Sequence, residues 1–345
     1  MSTELEPAAN HPTPEARTTG TTMMRAVVQR RYGPPSVLEP STVARPVPRR
    51  GEALVRVGAA SVHPGGYFVM TGEPYVARLA FGLRRPRQGI PGMDLAGEVV
   101  AVSEGVTSVT PGEQVFGWST RGALAEYACV PAGHLVPRPP DLSVAEAAAV
   151  PTSGMTALQA VRDVAHVRPG QRVLVIGASG GVGSFAVQIA TALDAQVTGV
   201  CSARNVDLVR SLGAEHVVDY ASTDVTLGEE RYDVILDNVE AQPLATVRRI
   251  LTPTGTLIPN SGHGGRWLGP IGRILTARML SVVSRQQLKP FLSLGKRKDL
   301  LTLAGLLATG QIRPVIDRTY PLDDAAEALR HVGAGHTRGK VVITL

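Results

Sequence analysis

The glycine-rich segment at residues 177–183, GASGGVG, constrains the fold of this chain more than any other feature. It follows a short apolar segment, 172–176, that is typical of a buried strand, and it precedes residues 182–193, whose apolar side chains have helical spacing. A glycine turn between a strand and a helix directs backbone N–H groups and the positive end of the helix dipole at an anion. The sequence therefore predicts that this turn binds the pyrophosphate of a dinucleotide.

Individual residues of the turn have expected roles. Gly180 lets the backbone approach the pyrophosphate, and Gly183 lets the helix pack closely against the strand. Ala178 replaces a glycine of the common G-x-G-x-x-G pattern, so the prediction depends on the flanking strand and helix, and a purely structural turn is the alternative. The residues predicted to contact the cofactor here are Ser179, Gly180, Gly181, Val182 and Gly183.

Strand and helix patterns alternate on both sides of this turn. Ser143 and Glu146 have the capping-box spacing before an alanine-rich run, which predicts the start of a helix. Repeated apolar strands separated by helices indicate a parallel sheet covered on both faces. We assign residues 146–310 to such a Rossmann-type domain, with strands predicted at 172–176, 196–201, 216–219, 232–237 and 255–259 and helices at 182–193 and 206–212.

The remaining parts of the chain predict a second, β-rich unit. Strands predicted at 25–29, 52–62, 97–102, 113–117 and 123–130 are separated by Pro and Gly turns, which is typical of an antiparallel all-β unit with Tyr127 in its core. After a helix at 299–308, strands at 315–320 and 340–344 flank a helix at 322–332 and are expected to return to this unit. We predict a catalytic domain from residues 24–145 and 311–345, preceded by a disordered tail at 1–23.

The end of the second predicted parallel strand bears on the choice of cofactor. Sites for NAD place an Asp or Glu there to bind the ribose hydroxyls, but residues 201–205 read CSARN and contain no acid. Ser202 and the Arg204 guanidinium can donate hydrogen bonds to a 2′-phosphate, which a carboxylate would repel. The sequence therefore predicts NADPH rather than NADH, unless Arg204 is only a solvated residue at the helix entry.

Composition excludes several classes of function. Thirty-five Lys and Arg against 29 Asp and Glu give a net charge of +6, spread along the chain, so no block of charge indicates a nucleic-acid partner. Two cysteines cannot form a disulfide framework or a structural zinc site, which favours a cytoplasmic location. No secretion signal is recognised, and no stretch approaches the roughly 18 apolar residues that cross a bilayer, which predicts no integral membrane segment.

One basic stretch remains open to two interpretations. Between residues 266 and 298, arginines and lysines interleave with Ile271, Ile274 and Leu275. A basic amphipathic helix can lie on a membrane surface. The alternative is a solvated helix that packs at a subunit interface.

Several motifs, which follow one another in order, resemble those of the medium-chain dehydrogenase/reductase family. They read PGMDLAGE at 91–98, PGE at 111–113, GALAEY at 122–127, GASGGVGSFAVQ at 177–188, SARN at 202–205, LGAEHVVDY at 212–220 and RGKVV at 338–342. Over residues 24–345 the chain is most similar to the zinc-independent, quinone oxidoreductase or zeta-crystallin-like branch. The resemblance implies a GroES-like β domain with an inserted Rossmann domain and its doubly wound parallel sheet, an α/β fold whose cleft holds NADPH and substrate.

The metal site of the zinc-dependent branch has no counterpart in the sequence. That branch needs an early Cys, a Gly-His-Glu motif and a four-Cys lobe, whereas this chain has Gly92-Met93-Asp94 at the motif and two Cys in total. Without thiolate and imidazole ligands, zinc cannot polarise an alcohol oxygen. We therefore expect no metal, and hydride transfer to a quinone or an α,β-unsaturated carbonyl, whose conjugation spreads the developing charge.

The resemblance also implies roles for residues outside the glycine turn. Thr156 matches a position that touches the nicotinamide end, and Tyr220 matches one near the adenosine phosphate. Lys340 matches a basic position near the cofactor, with a salt-bridged surface lysine as the alternative. Asn238 and Ser261 follow the fourth and fifth predicted strands, at the sheet edge where open α/β sheets bind ligands.

The substrate loop departs most from the family pattern. The family usually has Asn-Pro-x-Asp there, whereas residues 61–67 read SVHPGGY, with His63 for the Asn and Gly66 for the Asp. His63 could bond a hydroxyl of substrate or cofactor, or shuttle a proton, but it could equally be structural. We take His63 and Tyr67 as the candidate catalytic residues.

Three functions are consistent with these patterns. The leading hypothesis is an NADPH-dependent quinone or enone reductase that acts as a homodimer, with a strand near 280–292 pairing across a two-fold axis. The second hypothesis is an enoyl-thioester reductase of the same fold. The third is a non-catalytic nucleotide-sensing or membrane-associated binding protein that uses residues 266–298 as its surface.

Overall fold

The computed structural model describes residues 22–260, 267, 277 and 285–345. Residues 1–21 of the predicted tail at 1–23 therefore lie outside the described residues, whereas Met23 begins the first strand and does not belong to a disordered tail. Ser261 and most of the stretch 266–298 also lie outside the described residues.

The first sheet joins both ends of the described chain. β1 (Met23–Gln29) and β2 (Leu38–Ala44) form a separate antiparallel ribbon. The seven-stranded sheet contains β3 (Glu52–Val62), β4 (Asp94–Val102), β5 (Gln114–Trp118), β6 (Tyr127–Pro131), β7 (Leu135–Pro137), β14 (Ile316–Pro321) and β15 (Lys340–Thr344). Its order is β14-β15-β3-β4-β5-β7, with β6 also on β3, and only β14 and β15 pair in parallel. The C-terminal strands therefore complete the N-terminal sheet, as predicted.

Two expectations for this sheet are wrong. The strand predicted at 123–130 begins only at Tyr127, and Tyr127 lies half-buried at the edge of the core with the Arg45 guanidinium 3.7 Å from its ring centroid. The interior is built instead from fully buried side chains such as Val55 and Leu95. Because aliphatic side chains carry no polar atom that needs a partner, they fill this interior at lower cost than a tyrosine.

The unit is also not all-β. Between β3 and β4 lie α1 (Pro64–Thr71) and α2 (Arg78–Phe81), where a loop was expected at 61–67. Proline suits the first helical position because no N–H is needed there, and Gly72 ends α1 with a left-handed φ of 68°. His63 is the residue that precedes this helix.

The second sheet is entirely parallel. It contains β8 (Arg172–Ile176), β9 (Gln196–Cys201), β10 (His216–Asp219), β11 (Tyr232–Asp237), β12 (Leu251–Pro259) and β13 (Gln287–Leu288), in the order β10-β9-β8-β11-β12-β13. The helices between these strands are α5 (Gly181–Thr191), α6 (Val206–Ser211) and α7 (Leu244–Val247). The strand order reverses between β8 and β11, and ligands of such sheets bind at the carboxyl ends of the strands at that point.

Among the described residues, three further α-helices connect the two sheets and one joins β14 to β15. The predicted capping box is confirmed at α3 (Val144–Ala148), where the Glu146 amide donates to Ser143 Oγ at 3.2 Å and the Ser143 amide donates to Glu146 Oε2 at 3.0 Å. α4 (Pro151–Leu158), α8 (Arg297–Ala308) and α9 (Ala325–Gly333) follow along the chain. Within the described ranges, no helix is long and apolar enough to cross a bilayer.

Candidate active site

The glycine turn between β8 and α5 leaves a helix N-terminus uncapped. Gly180 precedes α5, and no side chain accepts a hydrogen bond from the first turn of that helix. The first amide groups of a helix have no partner within it, so those of Gly181, Val182 and Gly183 can bind an anion. An added Cβ on Gly180 would have no atom nearer than Gly177 O at 3.4 Å, so the space beside it is open.

Gly183 is required by packing within the turn itself. A Cβ on Gly183 would lie 2.1 Å from Gly177 O and 2.9 Å from Ala178 Cα. Gly177 has a φ of +75°, which L side chains rarely adopt. The expected close approach of helix to strand at Gly183 is therefore present in the structure.

The C-terminal strand contacts this turn directly. The Gly339 amide donates to Ser179 O at 2.8 Å, and a Cβ on Gly181 would lie 3.2 Å from both Lys340 Cδ and Ser153 Oγ. Lys340 is only 2% exposed, so the alternative of a surface lysine is wrong. The two sheets thus meet at the glycine turn, with a buried lysine between them.

Lys340 belongs to a buried cluster organised by Asp94. The Asp94 carboxylate is fully buried and lies 3.5 Å from Lys340 Nζ. It also accepts hydrogen bonds from Thr152 Oγ1 at 2.5 Å, from the Thr152 amide at 3.2 Å and from Ser61 Oγ at 3.3 Å. Burial lowers the pKa of the Lys340 ammonium, and the Asp94 carboxylate partly offsets that effect.

Asp94 also connects this cluster to α4. Thr152 lies in the first turn of that helix, so the carboxylate occupies the position of a capping acceptor. Thr156, one turn later, is buried and donates its hydroxyl to Thr152 O at 2.7 Å. The predicted nicotinamide contact Thr156 therefore sits on a helix that the buried cluster anchors.

His63 lies beside this cluster with an unsatisfied nitrogen. Nε2 is buried and has no hydrogen-bond partner among the described residues, and Nδ1 lies 3.0 Å from where a Cβ on Gly65 would be. The pKa of His63 is lowered to about 4, mainly by burial and further by the charge of Lys340, against the opposing effect of Asp94. The imidazole is therefore neutral near pH 7, so shuttling a proton as an imidazolium is not available to it.

A small pocket lies beside His63. Its lining includes Ser61, His63, Gly66, Pro91, Met93 and Leu329. The other catalytic candidate, Tyr67, is not among the residues that line it. Its ring packs on α9, where a Cβ on Gly333 would lie 2.3 Å from Tyr67 Cε2.

The low pKa of His63 makes stability depend on pH. The unfolded chain takes up a proton near pH 6.5 and the folded chain only near 4, so stability is lost as the pH falls through that interval. Between pH 7 and pH 4.5 we expect a loss of about 2.5 kcal/mol, and His63→Gln to remove it. Urea unfolding at pH 7 and pH 4.5 measures the difference. Exposed His216→Gln is the control, and equal pH dependence in wild type and His63→Gln would contradict the prediction.

The end of β9 holds the residues predicted to choose between cofactors. Arg204 is exposed and donates through Nη2 to His336 O at 2.9 Å. Ser202 Oγ accepts from Asn205 Nδ2 at 3.2 Å, and the same amide donates to Ser179 Oγ at 3.0 Å. Asn205 is buried and ties this end of the strand to the glycine turn, a contact that the sequence analysis did not identify.

The remaining predicted residues lie at the same edge of the parallel sheet. Asn238 donates to Ile176 O at 3.1 Å and accepts from Asn260 at 2.8 Å, which places it beside the start of the glycine turn. Tyr220 is 53% exposed, and its amide donates to Cys201 O at the end of β9. The predicted contact Ser261 lies outside the described residues.

Comparison with known proteins identifies families and relatives that this chain resembles. A family model described as an alcohol dehydrogenase GroES-like domain matches residues 49–140, and one described as a zinc-binding dehydrogenase matches 212–343. The chain is 32% identical over 337 residues to a chloroplast envelope quinone oxidoreductase homologue of Arabidopsis thaliana, covering 93% of this chain and 98% of that protein. A trans-enoyl reductase of Aspergillus terreus is 31% identical over 324 residues, covering 85% and 86%.

A solved structure gives the same result. The quinone oxidoreductase of Coxiella burnetii superposes with a TM-score of 0.83 at 29% identity, covering 94% of this chain and all of that one. The match confirms the predicted fold, a GroES-like β domain with an inserted Rossmann-type domain.

The described residues do not fit the zinc ion that one family name implies. No group of three His, Cys, Asp or Glu in the described part of the chain could hold a metal. Cys129 and Cys201 are buried in different sheets, and burial raises the pKa of each thiol to about 11, so neither is a thiolate.

A nicotinamide cofactor, by contrast, fits the uncapped turn, the open space at Gly180 and the lysine beside Gly181. With relatives more than 30% identical over most of its length and the fold in common, the chain belongs to the medium-chain dehydrogenase/reductase family of oxidoreductases.

Proposed function

We propose that the protein is an NADPH-dependent oxidoreductase that transfers a hydride to a quinone or an α,β-unsaturated carbonyl without a metal ion. One observation supports this proposal most. The uncapped glycine turn lies beside the end of β9, where residues 201–205 include Ser202 and Arg204 and contain no Asp or Glu. The bound nicotinamide would supply the hydride, and the residues of this chain bind and orient it.

We assign catalysis and dinucleotide binding to two domains, each built on one of the two sheets. Residues 24–145 and 311–345 form the catalytic domain, and residues 146–310 bind the dinucleotide. The order β14-β15-β3 supports the assignment of the C-terminal segment to the first domain. The contact of Gly339 with Ser179 supports a cofactor site at the boundary between them.

The cofactor residues act in three groups. Ser179, Gly180, Gly181, Val182 and Gly183 bind the pyrophosphate, with Lys340 as the adjacent cation. Ser202, Arg204 and Tyr220 bind the adenosine side. Thr156 binds the nicotinamide end, and Asn238 contacts the cofactor from the sheet edge, where Ser261 also stays a predicted contact.

The substrate site is the pocket that His63 lines. A neutral imidazole with a free, buried Nε2 can make one hydrogen bond to the carbonyl oxygen of an acceptor. A conjugated acceptor needs little acid assistance, so positioning in a dry cleft supplies most of the acceleration.

A second acceptor class is supported by one comparison. The relative named a trans-enoyl reductase suggests that an enoyl thioester could accept the same hydride. A non-catalytic nucleotide-binding protein would bind NADPH without oxidising it, which an acceptor panel distinguishes.

Assembly and location stay predictions. We propose a homodimer in which β13, the edge strand of the parallel sheet as far as the described residues show and part of the predicted 280–292, pairs with its copy. Light scattering that gives a monomer mass would contradict it. The cytoplasmic location is likewise a prediction, and the Arabidopsis relative is named for the chloroplast envelope.

Replacement of Arg204 by Glu tests the cofactor proposal. A carboxylate would repel the 2′-phosphate and remove a charged donor worth roughly 1.5–3 kcal/mol, so we expect the NADPH-to-NADH ratio of kcat/KM to fall at least tenfold. Arg210→Glu on α6 makes the same charge change on an exposed residue farther along the helix and should leave the ratio unchanged. An unchanged ratio in Arg204→Glu would contradict the preference for NADPH.

A further inference from the structure

Residues 79–87 present apolar side chains to solvent. Leu79, Phe81 and Leu83 are 66%, 44% and 68% exposed. Leu79 and Phe81 lie on α2, and Leu83 follows one residue after Gly82. We call Leu79, Phe81, Leu83, Arg84, Arg85 and Arg87 the basic apolar surface. Three large apolar side chains exposed within five residues form a cluster, and clusters rather than single residues mark interaction sites.

The cationic half of this surface is uncompensated. Arg84, Arg85 and Arg87 are exposed, and none of their side chains has a hydrogen-bond or ion-pair partner in the described parts of the chain. The sequence contains no Asp or Glu from Pro74 to Met93. The positive charge therefore faces solvent without a neighbouring acid on its own segment.

Hydrogen bonds within this segment, and one from Tyr32, hold its backbone in a fixed conformation. The Gly82 amide donates to Arg78 O at 2.8 Å, the Arg87 amide donates to Phe81 O at 2.8 Å, and Tyr32 Oη donates to Gly82 O at 2.6 Å. Gly82 has a φ of +122°, and a Cβ there would lie 2.1 Å from Arg85 O. The apolar side chains are thus held outward by a fixed turn, at a cost in exposed apolar area that a bound partner would recover.

A neighbouring tryptophan extends the surface. Trp267 is 74% exposed, its carbonyl accepts from the Val76 amide at 3.1 Å, and its ring lies edge-on to Tyr75 at 5.1 Å. Arg78 lies over the same Tyr75 ring at 4.6 Å. Tryptophan is enriched where protein meets the boundary between lipid headgroups and acyl chains.

We propose that the basic apolar surface docks on an anionic lipid bilayer. Arginines without acidic neighbours complement anionic headgroups, while leucine and phenylalanine beside them can enter the headgroup–acyl boundary. A protein partner is less well matched, because stable protein interfaces bury about 800 Å² per partner, and three apolar side chains followed by three exposed arginines supply much less. Docking is independent of hydride transfer and goes beyond the proposed function.

Vesicle co-sedimentation of the full chain tests the proposal. We expect binding to phosphatidylcholine vesicles that contain phosphatidylserine, weak binding to phosphatidylcholine alone, and a decrease with added salt. Each basic residue near the surface contributes roughly fivefold, so Arg84→Gln, Arg85→Gln and Arg87→Gln together should weaken binding about a hundredfold. Leu79→Ser, Phe81→Ser and Leu83→Ser together should also weaken it.

A charge-matched variant and two further readouts complete the test. Arg50→Gln, Arg249→Gln and Arg318→Gln together remove the same charge from exposed positions elsewhere and should leave most of the binding. Equal loss in both arginine variants, or no binding to anionic vesicles, would overturn the proposal. So would light scattering in which the leucine and phenylalanine variant converts a dimer to a monomer. Unchanged oxidation of NADPH by a water-soluble quinone in these variants keeps the outcome separate from the proposed function.

Discussion

Gly180→Ala should leave the folding stability almost unchanged, Gly183→Ala should lower it, and both should weaken cofactor binding. Gly180 has φ −79° and ψ 178°, a conformation open to any residue, and its Cβ would meet nothing nearer than 3.4 Å. Gly180→Ala should therefore keep the stability within about 1 kcal/mol, because Gly-to-Ala changes at compatible positions are neutral or stabilising. The added methyl would occupy the space through which the pyrophosphate approaches, so the affinity for NADPH should fall at least tenfold.

Gly183→Ala should damage both properties. Its Cβ would lie 2.1 Å from a backbone oxygen, so the turn between β8 and α5 must move to accept it. Overpacking of this kind lowers the free energy of unfolding by roughly 1–3 kcal/mol. The displaced amide groups would also no longer point at the phosphates. Urea unfolding and calorimetric titration with NADPH measure the two quantities separately. Full NADPH affinity in Gly180→Ala would contradict the assignment of the phosphate site to this turn.

Replacement of Lys340 by methionine should have the largest effect on stability. Methionine leaves the fully buried Asp94 carboxylate with only Thr152 and Ser61 as partners, and a buried charge left without its counter-ion costs about 3–5 kcal/mol. Asp94→Asn alone leaves the ammonium unpaired in the same way. Urea unfolding of each variant at pH 7 gives these values.

The double variant Asp94→Asn, Lys340→Met separates structure from function. With both charges removed, stability should return to within about 1–2 kcal/mol of wild type, because no uncompensated charge remains. Affinity for NADPH should not return, because the cation beside Gly181 is still missing. Additive losses of stability in the double variant would show that Asp94 and Lys340 are not a coupled pair.

The strand–helix pattern predicted most of the fold because its signals are local. The bounds of β3, β8, β9, β10, β11 and β15 coincide with the prediction, since each is an apolar run between clear turn residues. The helix α1 was not predicted because Pro64-Gly65-Gly66 is typical of a turn, whereas tertiary packing of Tyr67 on α9 stabilises a helix there. Propensity is a weak guide where such packing decides.

The candidate site was predicted unevenly for the same reason. The glycine turn is recognisable because its residues are consecutive. Asp94 and Lys340 are 246 positions apart, and nothing local distinguishes an acid at the start of β4 from a surface acid. Asn205, likewise, is identified only by its contacts with Ser179 and Ser202.

Oxidation of NADPH by a panel of quinones, enones and enoyl thioesters, together with reduction of NADP+ by a panel of alcohols, tests the central claim most directly when a metal chelator is present throughout. We expect loss of the reduced-nicotinamide absorbance with a quinone or an enone, faster with NADPH than with NADH, and unchanged by the chelator. Reaction with alcohol-type substrates that the chelator abolishes, or no oxidation with any acceptor despite measurable NADPH binding, would contradict it.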